Sequence, residues 1–325
     1  MSRPVLLHMG GAVVDLVHWI PALPLPGAES TADGFVALPG GGFNAMLAAR
    51  RAGLDVVYGG GHGVGPNGDL LRRAFAAEGL GVLLPASPER DSGHCVVLVT
   101  PDGERTFVTW PGAEAHLDAA WLSAYRPPTG SWVFLSGYTM SYEESRIEIA
   151  TWLEGLSPQH PVIFDPSTVV GDIPSYLIDR ALARTTWLTL NAREGEALAG
   201  PGSPEAVTRR LLGKCSRAHG VVLRVGAGGA HLRLRDGTFT SVPGFAVEAV
   251  DTNGAGDTHG GFLAAGLMRG TDPVAAVRLA NAAAAISVTR KGGAAAPTRD
   301  ELAAFLRARG EEETQLEHHS GGLSA

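Results

Sequence analysis

The sequence predicts an α/β protein built around a mostly parallel central sheet, and three observations carry that prediction. Apolar runs of strand length at Trp132–Ser136, Pro161–Asp165, Trp187–Leu190 and Val221–Val225 alternate with longer helical or amphipathic segments, as in a chain of βα units. The C-terminal third is alanine-rich and reads as three helices, Ala255–Met268, Pro273–Ser287 and Arg299–Arg309. The 325 residues are 45% hydrophobic and 18% charged, so a sizeable core can form and the chain is not of the disordered class.

Along the chain, Val5–Met9 reads as a buried first strand ended by Gly10-Gly11. A Pro- and Gly-rich stretch follows, with short apolar pieces at Leu16–Ile20 and Phe35–Leu38. Gly40-Gly41-Gly42 opens a helical run that Gly53 stops. Val56–Tyr58 is a further strand and Leu70–Glu78 a helix. Cys95–Thr100 and Thr106–Trp110 flank Pro101-Asp102-Gly103-Glu104, a hairpin with turn-forming chemistry. No internal repeat is present. Glu311–Ala325 is polar without an apolar period and is expected to be a flexible tail; Leu316-Glu317-His318-His319 within it has a metal site or a tag remnant as the alternative to a bland tail.

The net charge of −7, with two lysines (Lys214 and Lys291) among 26 basic residues, argues against a nucleic-acid binder, which needs clustered cations. Cys95 and Cys215 form no CxxC pair, so neither a disulfide framework nor a structural zinc is expected and a reducing cytoplasm fits. Asp15 interrupts the apolar run Val5–Val14, no cleavage-site pattern follows, and no 18-residue apolar stretch occurs; neither a secretory signal nor a membrane span is expected. The 44 glycines are about twice the ordinary share and imply many tight turns.

Chemistry concentrates in Val250-Asp251-Thr252-Asn253-Gly254-Ala255-Gly256-Asp257-Thr258. A strand end, a glycine-rich turn and a helix start let backbone N–H groups converge on an anion, and the helix N-terminus adds positive partial charge. Asp257 in the first turn sets a proton acceptor beside that anion hole, as deprotonation of an alcohol attacking a γ-phosphate requires. The plainer alternative makes Asp251 and Asp257 helix caps. No GxxxxGK[ST] loop, HExxH or GxSxG competes, and the first βα region offers Gly40-Gly41-Gly42 but no GxGxxG with an acidic residue about 20 positions later.

Asp251–Asp257 resembles the DTxGAGD signature of the ribokinase-like (PfkB-type) carbohydrate kinases. Further resemblances occur in the order that family requires: Pro39–Gly53, with Gly40-Gly41-Gly42 and Asn44, to its N-terminal Gly-Gly signature; Asn191-Ala192-Arg193-Glu194 to its NxxE motif; Val221–Gly229 to its nucleotide loop; and Val288–Arg299 to its C-terminal segment. The resemblance spans about residues 4–309. It implies a three-layer α/β/α kinase domain over 1–310 with a small β-lid from about 12–38 and 93–110, a homodimer through that lid, and ATP with Mg²⁺, and K⁺ in addition. In this reading Asp257 is the general base, and the amides of Gly254, Ala255, Gly256 and Asp257 form the anion hole. Asp15, Gly41, Gly42 and Asn44 bind the acceptor. Asn191, Gly226, Gly229 and Asn281 contact the nucleotide, Glu194 orients Mg²⁺ through water, and Asp251 and Asn253 hold the monovalent cation. Arg224 stands where the family often has threonine, and either stacks on or pairs with ATP or points to solvent.

The acceptor implied is a small sugar, with an adenosine-like nucleoside or a non-catalytic sugar- or nucleotide-binding regulator as alternatives. Val13 replaces a polar sugar contact of ribokinases. Phe43 offers either a stacking surface or a core side chain. Arg90 and Arg105 are the candidate cations for a phosphorylated acceptor, and Asp165-Pro166-Ser167 is not followed by the arginine that keto-acid sugar kinases use.

Overall fold

The computed structural model describes residues 3–117 and 119–310; the expected tail over 311–325, with Leu316–His319, lies outside the described residues. The central sheet has nine strands: β1 (Leu6–Met9), β4 (Val56–Tyr58), β5 (Gly81–Val82), β8 (Trp132–Ser136), β9 (Val162–Asp165), β10 (Trp187–Asn191), β11 (Gly220–Arg224), β12 (Ala230–Leu234) and β13 (Phe239–Val242). Their order is β13-β12-β11-β10-β9-β8-β1-β4-β5. All pairings are parallel except the β11–β12 and β12–β13 pairs. The chain moves outward from β1 to β5 and later outward from β8 to β13, so the order reverses between β1 and β8. Ligands of open α/β sheets bind outside the carboxyl ends of strands at such a switch point.

Both faces of the sheet are covered, and side chains alternate between two cores. Leu6, Phe134, Ile163, Trp187 and Val222 pack on one face with helices α1 (Gly42–Arg51), α2 (Pro66–Ala77), α9 (Ala255–Met268), α10 (Pro273–Ser287) and α11 (Arg299–Arg307). Leu7, Met9, Val133, Leu135, Phe164, Leu188 and Leu223 pack on the other, which carries α3 (Ala119–Ala124), α4 (Gly137–Ser141), α5 (Arg146–Gly155), α6 (Ser175–Arg184), α7 (Ala192–Ala199) and α8 (Pro204–Lys214). Among the described residues no helix is long and apolar enough to cross a membrane.

A second sheet, ordered β3-β2-β6-β7, leaves the carboxyl end of β1 through Gly10-Gly11. It consists of β2 (Ala12–Trp19), β3 (Gly34–Gly41), β6 (His94–Val99) and β7 (Arg105–Trp110). Leu16–Trp19 of the first apolar piece and Phe35–Leu38 are parts of longer strands here, and β3 runs on to Gly41, with Pro39, Gly40 and Gly41 paired to Val14, Val13 and Ala12. The β12–β13 hairpin has no counterpart in the sequence reading: His231 and Arg233 interrupt its apolar pattern.

Helices α1 and α9 cross closely. A Cβ on Gly261 would lie 2.6 Å from Ala48 Cβ and from the Ala49 nitrogen and 2.7 Å from the Ala45 carbonyl oxygen, so this position needs glycine. Gly261→Val is therefore expected to destabilise the protein by about 1–3 kcal/mol, the ordinary range for overpacking, read as a lower denaturation midpoint with an unchanged m-value.

Candidate active site

Strand alternation builds the floor of the site. Ile163, Trp187 and Val222 face α9, and the residues two further along β9, β10 and β11 (Asp165, Thr189 and Arg224) share that face at the strands' carboxyl ends. Arg224 Nη1 donates to Asp165 Oδ2 at 3.0 Å and to Thr189 Oγ1 at 2.7 Å, and Nη2 lies 3.7 Å from Glu194 Oε2. The guanidinium is mostly buried, and Nη2 lies 3.6 Å from where a Cβ on Gly256 would stand. Arg224 thus does not point to solvent. It lies inward, across the floor, because two carboxylates and a hydroxyl solvate it there.

Over this floor sits the start of α9. Gly254 has φ +71°, and a Cβ there would lie 2.2 Å from the Gly293 carbonyl oxygen, so the turn closes only with glycine. The N–H groups of Ala255, Gly256 and Asp257 occupy the first turn, where an α-helix provides no i−4 acceptor. Burial pushes the Asp257 carboxyl up to about 7; Asp165 and Asp15 push the same way, while Arg224 and the neighbouring Asn44 side chain oppose. Asn44 is buried on α1, and among the described residues its Oδ1 has no hydrogen-bond partner. Asp15 stands on β2 opposite Leu38, its carboxylate packed against the backbone of Gly40; burial raises it to about 6. Gly41 and Gly42 turn β3 into α1, with Gly42 N–H bonded to the Gly11 carbonyl at 2.7 Å.

The remaining expected residues divide. Asn191 and Glu194 form a capping box: Asn191 Oδ1 accepts from Glu194 N–H at 3.0 Å, and Glu194 accepts from Asn191 N–H at 2.8 Å and from its Nδ2 at 2.6 Å. Burial and the nearby Asp165 raise the Glu194 carboxyl; Arg224 and the Asn191 amide pull it down. Gly226 and Gly229 bound a one-turn helix after β11, with Gly226 at the surface and Gly229 buried against Pro243-Gly244. Asn281 is buried on α10. Its Nδ2 donates to the Val242 and Pro243 carbonyls at 3.0 and 3.1 Å, and its Oδ1 accepts from His259 Nε2 at 3.2 Å. Its polar atoms brace the end of β13. Asp251 and Asn253 open the loop; the Asp251 carboxylate accepts from Asn253 N–H at 2.7 Å, from Gly292 N–H at 3.0 Å and from Arg105.

Asp165, Thr189 and Tyr138 were not anticipated as site residues. Tyr138 hydrogen-bonds Thr168 at 3.0 Å, and its hydroxyl is raised by burial and, secondarily, by Asp257 and Asp165. Ser167, two residues past Asp165, has φ +58°, the one positive φ at a non-glycine residue among those described, and its N–H is held by Asp165 Oδ1 at 2.9 Å. The strand-end position of Asp165 was the available signal. Phe43 is a core side chain, buried and 6.0 Å from the Phe75 ring.

Residues 10–316 match the pfkB family of carbohydrate kinases. The chain is 34% identical over 305 residues to an Escherichia coli K12 protein named as an uncharacterized sugar kinase, YegV, covering 93% of this chain and 94% of that one. Ribokinase from Thermotoga maritima superposes with a TM-score of 0.79 at 26% identity, covering 94% of this chain and 100% of the other. Aminoimidazole riboside kinase from Salmonella enterica, solved with aminoimidazole riboside and an ATP analog, superposes with a TM-score of 0.76 at 26% identity, over 94% and 100% of the two chains.

Because the folded protein holds the Asp257 proton up to about pH 7, whereas an unfolded aspartate releases it near pH 3.9, ionisation works against folding between those values. Asp257→Asn escapes that cost. Its melting temperature should equal that of the wild type near pH 4 and exceed it by about 6 °C at pH 8, measured by calorimetry across that range.

Proposed function

The chain belongs to the pfkB family of carbohydrate kinases and is a phosphotransferase with an alcohol acceptor, and on that premise we propose that it transfers the γ-phosphate of ATP to a hydroxyl of a small unphosphorylated sugar. The observation that carries this reading is the convergence of Asp257, Asn44 and Asp15 beside the open N-terminus of α9. Asp257 takes the proton of the attacking hydroxyl; near pH 7 its raised carboxyl can both accept that proton and release it afterwards. The first-turn amides of α9 receive the charge of the transferring phosphoryl group. Asp15 accepts hydrogen bonds from sugar hydroxyls, and the unpartnered Asn44 Oδ1 accepts another, which holds the nucleophilic oxygen close to Asp257.

Asp15, Asp165, Glu194 and Asp257 face this space with Arg224 among them. Such a surplus of carboxylates repels a bare triphosphate, so the donor set suits Mg²⁺ arriving with the nucleotide. No cluster of three or more metal-ligating side chains occurs among the described residues, and a hydrated Mg²⁺ held by phosphates and one or two carboxylates needs none. When bound, Mg²⁺ supplies neutralisation of the β- and γ-phosphate oxygens; Glu194 and Asp165 are the carboxylates that would hold its water shell.

Two features favour an unphosphorylated sugar. Arg105 is paired with Asp251 and so is not free to bind an acceptor's phosphate. Phe43 lies in the core and so offers no face to a nucleobase. Asp257→Ala should lower kcat at least about 10²-fold while nucleotide affinity changes little. Asp15→Ala should chiefly raise the acceptor KM. Undiminished turnover in Asp257→Ala would remove Asp257 as the base, whereas a wild type that binds ATP without acceptor-dependent turnover would leave the non-catalytic reading.

The second sheet is proposed as a lid over the acceptor, where closure excludes water, and as the seat of a homodimer. Its edge strand β7 carries an unpaired backbone edge, with Phe107, Val108 and Trp110 exposed at 56%, 61% and 69%, and edges of this kind invite a partner strand. Sedimentation should give a dimer for the wild type and a monomer for Trp110→Asp. A wild type that stays monomeric at every concentration contradicts the pairing.

A further inference from the structure

The Asp251 carboxylate is the anionic group that a monovalent cation at the glycine-rich loop would need, and it is already satisfied. Oδ1 accepts from the Asn253 N–H at 2.7 Å and from the Arg105 guanidinium, and Oδ2 accepts from the Gly292 N–H at 3.0 Å. Arg105 reaches it from the first residue of β7, and both side chains are only 18% exposed. Lys291 lines the same cleft, along with Trp19 and Thr252. A potassium ion placed here would sit against a permanently charged guanidinium with an ammonium nearby, on a carboxylate whose oxygens are engaged. The residues present do not fit the ion.

We propose that Arg105 is the resident cation of this loop: its guanidinium latches the β6–β7 hairpin onto Asp251–Asp257 and makes the anion hole independent of monovalent metal ions. The Asp251 hydrogen bond to Asn253 N–H sets the turn that leads into Gly254 and the first amides of α9. A cation on Asp251 therefore acts on the amides that receive the phosphoryl charge. Because Arg105 belongs to the second sheet, that cation is present only while the hairpin rests on the loop, which couples hairpin docking to phosphate binding.

The inference rests on the kinase reading, but its test does not require turnover. Nucleotide affinity and melting temperature are measured with ATP and Mg²⁺ for the wild type and Arg105→Ala, in KCl and in tetramethylammonium chloride of equal ionic strength, so that general screening cancels. In the wild type, exchanging the two salts should change the dissociation constant by less than about twofold. Arg105→Ala should bind nucleotide about tenfold more weakly in tetramethylammonium, within the usual range of coupling between sites, and recover in KCl with a K⁺-dependent rise in melting temperature. A wild type whose affinity improves tenfold or more with K⁺, or an Arg105→Ala protein indifferent to K⁺, overturns the proposal. If Arg105→Ala does not fold, Arg105→Gln and the wild-type potassium titration decide the same question. Nucleotide binding that follows these expectations without any acceptor-dependent turnover would leave the latch standing and remove the kinase reading.

Discussion

The close crossing of α1 over α9 is the constraint on which the site depends. Gly261 lets the Ala45–Ala49 stretch of α1 approach within van der Waals distance, and that approach brings Asn44, near the start of α1, to the carboxylate of Asp257, near the start of α9. Each helix begins at a glycine turn that leaves the end of a strand or loop: Gly41 at φ +58° for α1 and Gly254 at φ +71° for α9. Two helix N-termini therefore converge at the carboxyl-end side of the sheet. One brings a group suited to an alcohol, and the other brings the amides and carboxylate suited to phosphoryl transfer.

Charge is organised around the same point. Burial raises Asp257 and Asp15, and left alone such a cluster would hold its protons through neutral pH. Arg224 offsets this from below. It pairs with Asp165, approaches Glu194 and pulls the Asp257 carboxyl downward. Desolvation still dominates, so the Asp257 carboxyl stays near neutrality instead of falling to the range of an exposed aspartate. An arginine suits this place better than a neutral threonine because it lies among several carboxylates and keeps its charge at any physiological pH.

Much of the layout was legible in the sequence, and what escaped has a physical pattern. The βα alternation and the helices Ala255–Met268 and Pro273–Ser287 were readable because apolar period and capping agree there: Asp272 accepts from the Val274 and Ala275 amides ahead of Pro273. The 250–258 segment announced its chemistry locally, since amides, glycines and carboxylate all lie within one turn. Asp165, Thr189 and Arg224 act through the sheet, and neighbours across strands cannot be found from spacing along the chain. The Arg105–Asp251 pair joins residues 146 apart. Asn281, a polar residue in an alanine-rich helix, is legible as a candidate ligand contact, but that its amide also holds the end of β13 to α10 is not.

The measurement that tests the account most directly is acceptor-dependent ADP release from Mg²⁺–ATP as a function of pH, over unphosphorylated pentoses and hexoses, sugar phosphates and nucleosides. If a desolvated Asp257 is the base, an unphosphorylated sugar should respond, and kcat/KM should rise with pH through an acid limb near 7, the value to which burial lifts the carboxyl. ADP release that ignores the acceptor, or a rate flat from about pH 5 to 8 with a responding sugar, would contradict proton removal by Asp257 and with it the central reading of the site.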